Sequence, residues 1–308
     1  MKNRISLVPF TDFWIECTEN DNLSVVISMD DSYKKAAYMN DYKYVVSQKY
    51  NEVLVKRNSS FYEKIPRISI NSVDNYDIDI INTIRNYVNQ GKILYIPVDV
   101  FYWLKSSTDW KNKHMLHYEM IIGYDDEKRI VNVFTDDIHG YHEIEVDYDN
   151  FVNAYEMSKC LEIKEIIPPK ILSVYEFDKD LLKKNAIHIC DSIEVVLQTN
   201  GLFNISEVTY EDVGNVTEIT AIQTANLLLI KNLFDDGCIT LEEFKVLEHF
   251  IQECSKKWQI VKGLLIKLLV VKLSPPCDRI NDLIKDALSI EKECWKQYLA
   301  ICENKEER

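Results

Sequence analysis

Three side chains in this sequence are suited to nucleophilic acyl chemistry: Cys17, His117 and Asp136. A thiol attacks a carbonyl carbon once an imidazole has taken its proton. A carboxylate on the other ring nitrogen fixes the tautomer that can accept it. Of the eight cysteines, Cys17 alone precedes His117. It lies in the polar run Glu16-Cys17-Thr18-Glu19-Asn20-Asp21-Asn22, directly before the apolar stretch that opens at Leu23, so a helix is expected to begin there. The free N–H groups and positive dipole end of a helix start are expected to lower a thiol pKa and to offer an oxyanion site. The competing reading makes Cys17 a small buried hydrophobe like the other cysteines, none of which shows zinc-type or redox-type two-residue spacing.

The element that must position the base is the stretch 116–137, LHYEMIIGYDDEKRIVNVFTDD. Tyr118 to Tyr124 is rich in β-formers, Asp125 to Lys128 supply a turn, and Ile130 to Phe134 return. At the open end of such a hairpin, His117 and Asp136 are expected side by side. Asp137 is the alternative acid, and Asn132, in mid-strand, is a third. Upstream, Ile93 to Asp99 reads as a central strand whose Pro97 places its last residues at an edge or bulge.

These features resemble a family. His117 before an apolar strand, then Gly123-Tyr124-Asp125 and a strand ending in an acid, is similar to the His-to-Asn/Asp hairpin of papain-like cysteine peptidases. Ile96-Pro97-Val98-Asp99 leading to His114-Met115-Leu116-His117 more closely resembles the butirosin-biosynthesis protein H family, papain-like acyltransferases of natural-product assembly, including amide synthetases of the closthioamide type. The likeness covers about residues 6 to 160. It implies a papain-like fold and a Cys17-His117-Asp136 triad, with Asp136 chosen because the family's acid stands four residues before a turn glycine, here Gly140. It also implies a donor that is a phosphopantetheine thioester on an acyl or peptidyl carrier protein, a small-molecule amine acceptor, and no cofactor. Asp99 and Tyr102, with Trp103, lie where that family lines its acceptor pocket. A carboxylate beside aromatics suits a cationic amine, although Asp99 reads equally well as a loop cap. His114 is either a hydrogen-bonding member of the site or an exposed loop residue. The glutamine that completes the peptidase oxyanion hole has no counterpart before Cys17; Asn20, Asn22 or backbone N–H groups would have to serve, which counts against peptide hydrolysis. A cysteine peptidase or amidase remains the second reading, and a non-catalytic scaffold the third.

The remaining chain organises around this half. Residues 30–48 read as helix then turn, Val53–Val55 and Ile68–Ile70 as short strands, and Asp77–Asn89 as an amphipathic helix closed by Gly91. Pro168-Pro169 marks a boundary, so the expected fold is α+β: a papain-like domain with an antiparallel sheet over 1–168, then a helical domain over 169–308. There, Thr240-Leu-Glu-Glu243 is a capping box ahead of an apolar stripe from Phe244 to Leu268, and Ile280–Ile301 forms the last helix. A calcium loop at Asn232–Glu243 fails because Phe234 stands where an oxygen ligand is required. His139 and His142 near Asp136 and Asp137 lack metal-site spacing, so no metal is expected.

Bulk properties narrow the classes. The formal net charge is −14, which argues against a surface built to release counterions from a nucleic acid. Docking to an acidic partner would depend on local basic spots such as Lys34, Lys35, Lys111 and Lys113. The most apolar run, Gly263 to Val271, is interrupted by Lys267 and too short to span a bilayer. No secretory leader is readable, so a cytoplasmic protein without membrane contact is expected.

Overall fold

The structure is a computed structural model describing all residues except 40, 48–51, 59–62, 75–78, 107–108, 138, 161, 171–172, 200, 205 and 307–308. It is a mixed α+β chain with an antiparallel sheet and helices. In chain order the elements are β1 (Lys2–Arg4), α1 (Cys17–Met29), α2 (Tyr33–Tyr38), β2 (Tyr42–Ser47), β3 (Glu52–Arg57), β4 (Ser69–Ser72), α3 (Ile80–Val88), β5 (Ile93–Asp99), a 3-10 turn (Val100–Tyr102), β6 (Leu116–Asp125), β7 (Ile130–Asp137), β8 (Gly140–Asp147), α4 (Tyr148–Ser158), β9 (Lys164–Ile167), α5 (Lys179–Leu197), α6 (Tyr210–Asp235), α7 (Leu241–Val271) and α8 (Cys277–Glu306). They form two compact units: Met1–Tyr33 with Ile65–Val174, and Lys34–Lys64 with Tyr175–Arg308.

The first unit is built on a seven-stranded sheet in the order β4-β9-β5-β6-β7-β8, with β1 also pairing β6; every pairing is antiparallel. Alternation along the strands sorts the sheet's residues into two faces. Leu94, Ile96, Val98, Ile121, Val131 and Val133 pack with Ile84 and Val88 of α3 and Phe151 and Ala154 of α4. Ile93, Tyr95, Met120, Ile122, Phe134 and Tyr141 form the other face, with Val25 of α1. Pro97 lies where β5 pairs with β6 but beyond Tyr95, the last β5 residue paired with β9. The missing N–H is tolerated there because one side of the strand carries no ladder. The helix expected from Asp77 starts at Ile80 behind its N-cap Asp79, whose side chain accepts from Ile81 N at 2.9 Å; Asp77 and Ile78 lie outside the described residues. Gly91 adopts φ 75° just past its end, the left-handed closure that glycine permits.

The contiguous division at 168/169 needs correction, because residues 34–64 belong with the helices. Residues 42–47, expected as the end of a helix and a turn, form β2 and pair with β3; the run Tyr-Lys-Tyr-Val-Val carries β-branched and aromatic residues that favour a strand. Tyr42 and Tyr44 reach the core of the second unit. Both hydroxyls donate to Glu291 of α8, Tyr44 at 2.7 Å, and the Tyr44 ring stacks on Trp258 of α7 at 6.3 Å. Gln223 Nε2 also donates to Glu291, at 2.8 Å. A fully buried carboxylate is retained because its acceptor sites are used. The box at Thr240 forms as expected, with Glu243 accepting from Thr240 N at 2.7 Å. Leu247, Ile251, Cys254, Trp258, Val261, Leu265 and Leu268 are all buried along one face of α7.

Candidate functional site

Helix α1 begins at Cys17, and its preceding residue Glu16 makes no side-chain capping bond. The Glu16 carbonyl accepts from Glu19 N at 2.9 Å and Asn20 N at 3.0 Å, the first backbone bonds of the helix. The helix is buried through Asn20, Asp21, Asn22, Leu23, Ser24 and on to Ile27, so its polar residues must find partners inside the fold. Ser24 and Ser28 hydroxyls accept from Phe10 N at 2.9 Å and Val8 N at 2.7 Å, tying the N-terminal segment along the helix. Asp21, one turn below Cys17, accepts from Tyr95 of β5 at 2.7 Å and Tyr141 of β8 at 2.5 Å. The helix is thus anchored to two strands directly beneath its cysteine.

Cys17 lines a cavity of about 270 Å³ together with Val100, Trp103, Met115, His117, Glu119, Thr135, Asp136 and Asp137. Its partners within that cavity differ from the expected ones. The thiol donates to Asp136 Oδ2 at 3.0 Å, and His117 Nδ1 lies 3.0 Å from Glu119 Oε1. Asp136 is therefore not the carboxylate that orients the imidazole. The reason is the two-residue period of a strand. Asp136 alternates in phase with Phe134, whose face packs with α1, so it turns towards the helix that carries Cys17. His117 is in phase with Glu119 and Ile121 on its own strand, and takes Glu119 as its neighbour. The β6–β7 ladder runs from Met120–Phe134 to Asp125–Ile130 and does not extend to residues 116–119 and 135–137. The cavity opens at that end.

Electrostatics follow from this packing. The hydrogen bond to Glu119 raises the His117 pKa, against the opposing pull of burial. Because a carboxylate accepts at Nδ1, the proton sits there and Nε2 is left to exchange protons. Burial, the bond to Asp136 and the charges of Asp136, Asp21 and Glu119 push the Cys17 thiol up. The expected lowering by the helix start is outweighed by three carboxylates and desolvation. Burial likewise raises Asp136 against the stabilising thiol bond. Asp21 is pushed up to about 7 by burial, with the Tyr141 and Tyr95 hydroxyls pulling the other way. Glu119 Oε2, Asp136 Oδ1 and Trp103 Nε1, all on cavity-lining residues, are buried without a hydrogen-bond partner among the described residues.

The other expected site residues lie elsewhere. Asn20 Nδ2 donates to Ile15 O at 3.2 Å and Asn22 Oδ1 accepts from Ile68 N at 2.9 Å; neither residue lines the cavity. Asp99 accepts from Phe101 N at 3.1 Å as the cap of the 3-10 turn and pairs with His114 Nδ1 at 2.8 Å. His114 is exposed and stacks on Phe101 at 4.1 Å between centroids. Tyr102 faces a cation already present in the chain, Lys111 Nζ, 4.2 Å from its ring centre. The amine-binding pocket expected at Asp99 and Tyr102 is thus internally occupied, and Trp103 alone of that group lines the cavity. Lys35 is likewise engaged, with Asp236 at 2.7 Å. Asp137 accepts from His139 N at 2.7 Å, and Asn132 Nδ2 donates to Glu143; neither is the partner of His117.

Glu119 and Asp21 were not singled out from the sequence. His117-Tyr118-Glu119 holds the signal for the first, since alternate residues on a strand share a face. Asp21 stands four residues after Cys17, on the same side of a helix. Among the described residues no helix is long and apolar enough to cross a membrane. No protein-family model matches the chain, and no curated protein matches it.

Proposed function

We propose that this chain is a papain-like thiol acyltransferase of the butirosin-biosynthesis protein H type, forming amides in natural-product assembly. The observation that carries the reading is one cavity holding a cysteine at a helix start and an imidazole whose Nδ1 is held by a buried carboxylate. In the reaction, His117 Nε2 takes the Cys17 proton and the thiolate attacks a carrier-protein thioester. The carbon–sulfur bond to the phosphopantetheine thiol breaks, and that sulfur leaves with the proton from His117. An amine then attacks the acyl-cysteine. His117 removes the amine proton and returns it to Cys17, so thioester and amine become amide and thiol. Glu119 holds the imidazole in the tautomer this needs. The uncapped first turn of α1 supplies N–H donors for the oxyanion. The unpartnered carboxylate oxygens of Glu119 and Asp136 provide acceptors for an ammonium group.

The test is intact-mass analysis after incubation with an acyl thioester of N-acetylcysteamine. A mass increase equal to the acyl group, absent in Cys17→Ala and discharged onto added amine faster than onto water, supports transfer. Discharge onto water alone moves the assignment to a hydrolase. No adduct with any thioester, in the presence or absence of ethylammonium, would falsify the covalent role of Cys17.

A further inference from the structure

The groups around Cys17 are unbalanced in charge. Asp21 acts on its thiol from α1, Glu119 from β6 and Asp136 from β7. His117 opposes Asp21 and Asp136, and His142 of β8 opposes Asp136 and, together with His139, Asp137, from which it lies 3.8 Å. Burying several carboxylates near one another costs free energy that a cation would offset. Independent of the count, Glu119 is 2% exposed and its Oε2 has no partner among the described residues. A buried carboxylate oxygen left unbonded in the wall of a cavity marks the position of an absent donor.

We propose that the cavity takes an organic ammonium ion, and that its arrival switches Cys17 from a latent thiol to a nucleophile. This rests on reading Cys17 as the nucleophile. In the free protein Sγ keeps its proton and donates it in a hydrogen bond to Asp136 Oδ2. An ammonium between Asp136 Oδ1 and Glu119 Oε2 cancels the charge that opposes a thiolate, and the proton passes from Sγ to His117 Nε2, giving thiolate and imidazolium. Trp103, Val100 and Met115 line the same cavity and suit the alkyl part of such an ion. The consequence is an order of events: the bound ammonium permits acylation, then gives one proton to the Asp136 carboxylate and attacks the acyl-cysteine as the free amine, so an acyl-enzyme does not form where water is the only nucleophile available.

The probe is ethylammonium chloride, with sodium chloride at equal ionic strength as control. The readout is the rate of Cys17 alkylation by iodoacetamide across pH, followed by peptide mapping to separate it from the other cysteines. Ethylammonium is expected to accelerate alkylation saturably, by about tenfold below the thiol midpoint, equivalent to a fall of about one pH unit in that midpoint. In Glu119→Gln, with folding checked by circular dichroism, the acceleration shrinks. Equal rates in the two salts overturn the proposal. If no thioester acylates Cys17 with or without ethylammonium, yet ethylammonium still accelerates alkylation, the acyl-transfer reading falls and this inference stands. If thioesters acylate Cys17 equally fast with and without ethylammonium, the transfer reading stands and the switch is overturned.

Discussion

The Cys17 thiol and the Asp136 carboxylate meet at 3.0 Å, across the end of the sheet where β6 and β7 part. A carboxylate hydrogen-bonded to a thiol opposes its ionisation, because the thiolate would face a negative charge at contact distance. Asp136→Asn should therefore lower the pH at which Cys17 becomes reactive. Alkylation rate against pH reads the midpoint directly, and a midpoint that stays put would remove Asp136 from the control of the thiol.

Glu119 acts on His117 in the opposite sense. Its hydrogen bond is the leading cause of the raised imidazole pKa, so Glu119→Gln should bring that value down, as followed by the ring-carbon chemical shift of His117 through a titration. The linkage has a defined sign. A base whose folded pKa exceeds its unfolded value stabilises the fold fully below the unfolded pKa, and that contribution is lost as pH rises through the folded one. The wild type should thus lose stability relative to Glu119→Gln on passing upward through the His117 titration.

Asp21 reverses the usual behaviour of a carboxylate. Its folded pKa of about 7 lies above the unfolded value, so the folded state holds the proton more tightly, and stability falls as pH rises from about 4 to about 7. Asp21→Asn should flatten the pH dependence of the thermal midpoint across that window. Tyr95→Phe should cost about 1–3 kcal/mol, because it deletes a hydroxyl whose partner is buried. A wild-type profile with no decline between those limits would show that the carboxylate stays ionised.

Gly123 shows how a motif residue acquires a packing role. A Cβ built there would lie 3.0 Å from Asn3 O, 3.1 Å from the Arg4 Cβ and 3.1 Å from Asn132 Oδ1. The first is backbone of β1, which pairs with β6 at this position, so the clash is not relieved by rotating a side chain. Gly123→Ala should destabilise by about 1–3 kcal/mol, measured as a shift in urea midpoint, while leaving the alkylation profile of Cys17 unchanged.

Local chemistry alone determined much of this protein. The 116–137 hairpin, the strand ending at Asp99, the helix closed by Gly91, the capping box at Thr240 and the buried stripe behind it follow from side-chain period and cap or turn preferences within a few residues of one another. So did the choice of Cys17, His117 and Asp136, which all line one cavity. Which acid serves which atom was decided by tertiary structure. It depends on whether Asp136 alternates towards α1 or away from it, and on where the β6–β7 ladder stops, neither of which is encoded at any single position. Placement of Tyr42 and Tyr44 against Glu291 belongs to the same class: their strand joins the helices by donating to a buried carboxylate about 250 residues further along the chain. Burial is likewise a property of the assembled fold. It raises the Cys17 thiol where the isolated helix start would have lowered it, because desolvation and three surrounding carboxylates exist only once α1 is seated on the sheet.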